Sequence, residues 1–262
     1  MQTMQIKERE AWTAPLPERF AGHYKLGKYH ESAITQVMWK YLNRQTNLNR
    51  AWIRINHHLP ETLTTDQKLD ILEFSTAHGA MLEIWRDKGH NVVGTDYAWT
   101  AESDRVQNKG VKRKWHEAIL RDLQAEVSHA PAHPPITGYP YQAITESLGL
   151  DIRLFDGGQW PYPFDDNSFD VVVCYQAIEA YATADKWMEI IREFCRIARK
   201  TVVVGFNPLP LHRADDPWEM EEARKAWTEM QHFKDCGFHT SFFEIGTTRR
   251  GTHPVTVKIE AD

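Results

Sequence analysis

The stretch ILEFSTAHGAMLEIWRDKGHNVVGTD, residues 71–96, decides the fold. An apolar run, Leu69 to Phe74, ends in the small residues Ser75, Ala77 and Gly79. Met81, Leu82, Ile84 and Trp85 then recur at helical spacing through Ala80 to Lys88, up to Gly89, where a left-handed helix end is least costly. A second apolar run, Asn91 to Thr95, closes on the carboxylate of Asp96. Strand, tight turn, helix and strand in this order are the unit of an open parallel sheet, whose ligands bind beyond the carboxyl ends of the strands. Small residues in the turn let backbone approach a ligand, and an acid ending the second strand suits the two hydroxyls of a ribose. The stretch therefore predicts a nucleoside-containing cofactor in a crevice centred on Glu73, Gly79 and Asp96.

Outward from this unit, short apolar runs continue to alternate with amphipathic ones. Strands are predicted at Ile152–Phe155, Phe169–Cys174, Thr201–Phe206, Ser241–Ile245 and Val255–Ile259, making seven in all. Helices are predicted at Ala184–Arg199 and from Asp216-Pro217-Trp218-Glu219 to near Gly237; the latter start combines a cap, a first-turn proline and a capping-box acid. The last two strands are separated only by Gly246–Thr252, which predicts an antiparallel hairpin. The expectation is an α/β, mostly parallel seven-stranded sheet with a terminal antiparallel hairpin and helices on both faces. Residues 1–66 read as a helical N-terminal cap, with a helix over His30–Arg44, and residues 67–262 as the α/β domain. An insertion at about 102–140 interrupts that domain; helical patterns at Val111–Val127 and Tyr141–Leu148 are separated by a proline-rich stretch. Tyr139, Tyr141, Trp115, His116, Trp39 and Trp52 either line an acceptor pocket or pack these additions onto the body.

Composition narrows the partners. A 42% hydrophobic and 26% charged chain of 262 residues is ordinary for a globular protein, and its net charge of −5 gives no general attraction to nucleic acid. The basic run Lys109 to Lys114 is the one local exception weighed, and it reads as a solvated helix start. No signal-like segment or membrane-length apolar run is evident, so a soluble, cytoplasmic protein is expected. Cys174, Cys195 and Cys236 read as reduced, buried thiols. No metal centre is expected: His57 and His58 are adjacent and would point apart on extended chain, and His129 and His133 lie among prolines.

ILEFSTAHGAMLEIWRDKGHNVVGTDYAW (71–99), DGGQWPYPFDDNSFDVVVCYQAIEAY (156–181) and the terminal hairpin resemble the class I S-adenosylmethionine-dependent methyltransferases, over residues 68–262 without the insertion. The resemblance implies a Rossmann-like fold and S-adenosyl-L-methionine as cofactor. It implies that Glu73 holds the methionine amino group, that Asp96 binds the ribose hydroxyls and that Tyr97 lies against adenine. Asp156, with the Gly157 backbone beside it, would meet the adenine amino group, and Tyr175 to Glu179 would face the methionine end and the acceptor. Ser75 and Ala77 stand where the family has glycine; only Gly79 is retained. A dinucleotide oxidoreductase would require the full G-x-G-x-x-G pattern, which this loop lacks, and no P-loop lysine is present.

Methyl transfer is an in-line displacement, so holding the acceptor and excluding water supply much of the catalysis. A base is needed only for a protonated acceptor, and His212 and Glu179 are the candidates, with His78 a third in the loop itself. Asn207-Pro208-Leu209-Pro210 follows the wrong strand for an amino-methylating DNA enzyme, and Cys174 lacks the preceding proline of a cytosine C5 nucleophile. The expected activity is O- or N-methylation of a small-molecule or sugar-like acceptor. The alternatives are a catalytically weak or inactive cofactor-binding regulatory protein of the same fold, and a nucleic-acid methyltransferase.

Overall fold

The computed structural model describes residues 15–26, 39–98, 139–207, 216–246 and 254–262. Outside these lie His212, the basic run 109–114, Trp115, His116, His129, His133, the predicted helix Val111–Val127 and most of His30–Arg44. In chain order the described elements are α1 (Trp39–Leu42), α2 (Arg44–His58), α3 (Glu61–Thr64), β1 (Asp70–Phe74), α4 (Ala80–Asp87), β2 (Asn91–Asp96), α5 (Gln142–Ser147) and β3 (Ile152–Leu154). They continue with β4 (Phe169–Tyr175), α6 (Ile178–Tyr181), α7 (Trp187–Ile197), β5 (Ala198–Phe206), α8 (Pro217–Gln231), β6 (Lys234–Asp235), β7 (Phe238–Ile245) and β8 (Val255–Ala261). The strand order is β3-β2-β1-β4-β5-β8-β7-β6. Pairs β2·β3, β1·β4 and β4·β5 are parallel, whereas β5·β8, β7·β8 and β6·β7 are antiparallel. The α/β sheet with its antiparallel carboxyl-terminal strands is thus the one expected. Among the described residues, no helix is long and apolar enough to cross a membrane.

Several expectations need correction. The sheet has eight strands, because β6 pairs with β7 across Cys236 and Gly237. Both turn residues have positive φ, 55° and 76°, the conformation whose twist matches a two-residue hairpin. Helix α8 accordingly stops at Gln231 rather than near Gly237, and Cys236 is exposed on the turn while Cys174 and Cys195 are buried. Helix α7 ends at Ile197, since Ala198, Arg199 and Lys200 already belong to β5. His57 and His58 occupy the last turn of α2, not extended chain, with ring centroids 4.2 Å apart. The cap at Asp216 is as read, accepting from the Trp218 N–H at 2.9 Å behind a first-turn Pro217, but the Glu219 carboxylate accepts from the Ala184 N–H.

The chain divides into two compact units, described in turn. The first comprises the described parts of 1–67 and 76–155. Its core gathers Tyr24, Leu26, Leu42, Tyr139, Tyr141, Ala143 and Ile144, with Tyr41, Ala77, Leu148 and Ile152 packed against them. Trp85 of α4 is fully buried and its indole N–H meets Thr62 Oγ1 at 2.8 Å, so the polar atom of a large core residue is satisfied.

The second unit comprises 68–75 and the described parts of 156–262. β4 is buried along Phe169–Cys174 and β5 along Thr201–Phe206, the continuous apolar pattern of strands covered on both faces. Its loop before β4 is fastened by two arginines. Arg196 donates to the Phe164 carbonyl and pairs with Glu193 and Asp166, and Arg199 donates to the carbonyls of Asn167 and Ser168 and pairs with Asp170 and Asp70.

Candidate functional site

In the first unit the turn before α4 and the end of β2 come together. Asp96, half-buried, accepts the Ala77 N–H on Oδ2 at 2.7 Å and the Tyr97 N–H on Oδ1 at 2.8 Å. Ala77 (φ 50°) and Gly79 (φ 71°) both adopt the left-handed conformation. Gly79 favours glycine through its φ, and an added Cβ would also have to displace the Leu150 side-chain methyl. Ala77 keeps its methyl because that methyl packs against the aromatic core of the unit. The Tyr139 hydroxyl donates to the Ala77 carbonyl at 3.0 Å.

His78 Nδ1 accepts the Ala80 N–H at 3.2 Å, and its ring lies 5.2 Å from that of Tyr41, which in turn meets Tyr141 edge-on at 5.5 Å. Burial pushes the carboxyl of Asp96 up to about 6, against the two backbone N–H groups that favour its charged form. Beside it, Tyr97 is 42% exposed, and Leu154, opposite Asp96 in the β2·β3 register, is 44% exposed.

This donor set fits a nucleoside. Each carboxylate oxygen of Asp96 has one backbone donor and retains acceptor capacity for a hydroxyl, and two open apolar side chains flank it for a base. Leu154 and the tyrosine group at 41, 139 and 141 were not singled out by sequence as neighbours of the turn. Their only signal was apolar or aromatic character near the ends of predicted elements.

In the second unit, β1 and β4 are adjacent, and beyond their carboxyl ends the direction of strand addition reverses, the place where open sheets bind ligands. Phe74 stands opposite Cys174 in register. Glu73 is buried and Ser75 follows with φ 54°. Cys174 Sγ lies 3.6 Å from the Tyr181 hydroxyl, and burial with the nearby charges of Glu179 and Glu73 pushes the thiol far up, so it is no nucleophile at neutral pH.

Other predicted residues turn out to have local structural duties. Tyr175 packs its ring on Gly205, where a Cβ would come within 2.5 Å of it. Glu179 is buried and accepts the Asn207 N–H at 2.8 Å, holding the end of β5. Asp156 is exposed and accepts the Gly158 N–H at 2.8 Å; Gly157 leaves room for the Tyr181 ring, and its carbonyl accepts the Tyr162 hydroxyl at 2.9 Å.

The profile of the methyltransferase domain matches residues 141–204, the segment running from α5 into β5. No curated protein matches the chain. Among solved structures, magnesium protoporphyrin IX methyltransferase of Synechocystis PCC 6803, with bound S-adenosylmethionine, is 12% identical with a TM-score of 0.44, covering 84% of this chain and 81% of that one. A S-adenosylmethionine-dependent methyltransferase from Methanosarcina mazei is 16% identical with a TM-score of 0.45, covering 75% and 94%. The domain profile lies across α5 to β5 of a parallel sheet closed by antiparallel strands, and over this segment the chain is similar to the methyltransferase domain.

Proposed function

We propose that the protein methylates an oxygen or nitrogen of a small-molecule or sugar-like acceptor. The observation that carries the cofactor half of this reading is Asp96, a carboxylate at a strand end whose two oxygens are aimed by backbone N–H groups and flanked by open apolar side chains. In this reading Asp96 binds the ribose diol and Tyr97, with Leu154, the adenine. Asp156 and Gly157 meet the adenine edge. Glu73 holds the methionine ammonium, the backbone of Ser75, Ala77 and Gly79 passes close to the cofactor, and Tyr175 faces the methionine end. When bound, S-adenosylmethionine supplies an electrophilic methyl group on a sulfonium. The chain then has to orient the acceptor in line, exclude water and, for a hydroxyl or ammonium, take a proton.

Glu179 and His212 remain the candidates for that proton. A small acceptor rather than a nucleic acid is supported by the net charge of −5. We further read residues 1–66 as an amino-terminal cap and about 102–140 as an insertion in the α/β domain. Ser75 and Ala77 adopt the positive φ that glycine would have, so their identity does not by itself argue for an inactive relative.

Calorimetric titration with S-adenosylmethionine and with NAD tests the cofactor. Micromolar binding of the first alone is the expected result, and binding of NAD alone overturns the reading. Labelled cofactor supplied with a fractionated metabolite extract, against a nucleic-acid fraction, then tests the acceptor; label appearing only in nucleic acid overturns the small-molecule assignment.

A further inference from the structure

Glu83 is in the first turns of α4, and its backbone N–H donates to the Gly79 carbonyl at 2.9 Å. Its carboxylate is buried, with 10% of the side chain exposed. Oε1 is paired with the Arg44 guanidinium, and Oε2 accepts nothing among the described residues. Arg44, 11% exposed, is the first residue of α2, behind the cap of Asn43, and Nη1 donates to the carbonyls of Phe20 at 2.6 Å and Gly22 at 3.3 Å. The buried Tyr24 hydroxyl, within electrostatic reach of both charges, accepts from Asn47 Nδ2 at 2.9 Å, and that amide also donates to the Tyr41 carbonyl at 2.7 Å. One guanidinium therefore joins the segment at Phe20–Gly22, the start of α2 and the start of α4.

A buried ion pair is a weak source of stability, because desolvation offsets much of the attraction; its distinctive effect is to demand one geometry. Among the described residues Glu83 has no second side-chain partner to fall back on. If the guanidinium is lost, the carboxylate has to reach water, and the first turn of α4 moves with it, Gly79 included. Gly79 holds a left-handed φ of 71° and its N–H donates to the Thr76 carbonyl at 3.1 Å, so a shift there is felt along the turn. We propose that Arg44 and Glu83 are positioning residues for cofactor binding: they hold the amino-terminal turn of α4, and through it the Ala77–Gly79 backbone, in the conformation that receives the nucleoside. This rests on the reading of that turn as part of the cofactor site.

The test uses the full chain with Arg44→Lys, which keeps the charge but loses the fork. Asp170→Asn serves as a control, since it destabilises the second unit and leaves this cluster alone. Two readouts are taken: amide hydrogen exchange at Ala80 and Glu83 without cofactor, and calorimetric affinity for S-adenosylmethionine. Arg44→Lys should raise exchange at both amides and weaken binding, each about tenfold, and Asp170→Asn should change neither by more than twofold at a comparable loss of melting temperature. Glu83→Gln, which keeps shape and an acceptor for Arg44, should give a loss of intermediate size and serves if the lysine variant does not fold. Unchanged exchange at Ala80 and Glu83, or equal losses in the control, overturns the proposal. A wild-type chain that does not bind S-adenosylmethionine overturns the cofactor reading instead, and the exchange result still decides whether the pair governs the turn.

Discussion

Two aspartates at strand ends, one in each unit, are held in opposite ways. Asp170, beginning β4, accepts the Asp70 N–H and is paired with Arg199 and Lys200; these partners outweigh its burial and hold its carboxyl down at about 2. Asp96, ending β2, has two backbone donors and no ion pair among the described residues, and burial pushes it up to about 6. The first has its charge satisfied by the protein, which is what a residue serving the fold requires. The second keeps a poorly compensated charge at the carboxyl end of an internal strand, which is how a residue serving a ligand is expected to look. The difference between them separates stability from affinity, and substitution at each should move only one.

The largest effect is expected from Asp96→Asn. The amide keeps an oxygen for the Ala77 N–H but loses the charge that strengthens hydrogen bonds to the ribose, so affinity for S-adenosylmethionine should fall about a hundredfold, roughly 2.7 kcal/mol. Stability at pH 7 should not fall. A folded-state value near 6 against 3.8 means the charged group disfavours the fold by at most about 3 kcal/mol above pH 6. Calorimetry and thermal unfolding of the same sample check both halves. A variant that melts earlier and binds normally would reverse the assignment of roles.

Asp170→Asn should do the converse, lowering stability by about 2 kcal/mol through its charge-assisted bonds while cofactor affinity stays within twofold. Because the Asp170 value is depressed, its stabilising contribution is present above about pH 4 and is lost as pH falls towards 2. Acid unfolding of the variant should therefore lack part of the wild-type loss in that window. Asp96 gives the opposite sign: its contribution favours the fold below about pH 4 and is lost as pH rises through 6. Cofactor binding needs the charged form, so affinity should be about tenfold weaker at pH 5 than at pH 7, and that dependence should vanish in Asp96→Asn. A flat wild-type profile over this range would remove Asp96 from the ribose.

What could be read without coordinates follows the range of the interactions. The turn at Ser75–Gly79, the acid at 96 and the cap at Asp216 were legible because small residues, strand ends and caps are local signals. The strand β6 was not: two residues carry no periodicity, and Cys236-Gly237 is not the usual Asn-Gly of a two-residue turn. Nor could the end of α7 be read, since Arg199 and Lys200 look like a favourable last helical turn until Asp170, some thirty residues earlier, draws them into β5. Arg44 and Glu83 carry no local signal of a pairing 39 positions apart. Only the fold buries them against each other.

The smallest predicted effect concerns the departures from glycine. Ser75 and Ala77 each sit at positive φ, which costs an L-residue about 1 kcal/mol or more. Ser75→Gly should relieve that strain and raise stability by about 1 kcal/mol, a few degrees of melting temperature. Ala77→Gly relieves the same strain but removes a methyl packed against the core of the first unit, worth about 0.8 kcal/mol, so its net effect should be close to zero. Thermal unfolding of the two variants side by side measures the difference. Equal gains would mean that the Ala77 methyl contributes no packing. A gain at Ser75 alone would show that one departure from glycine is offset by burial and the other is not, and that the turn keeps its shape at Ala77 because Asp96 and the aromatic core hold it there.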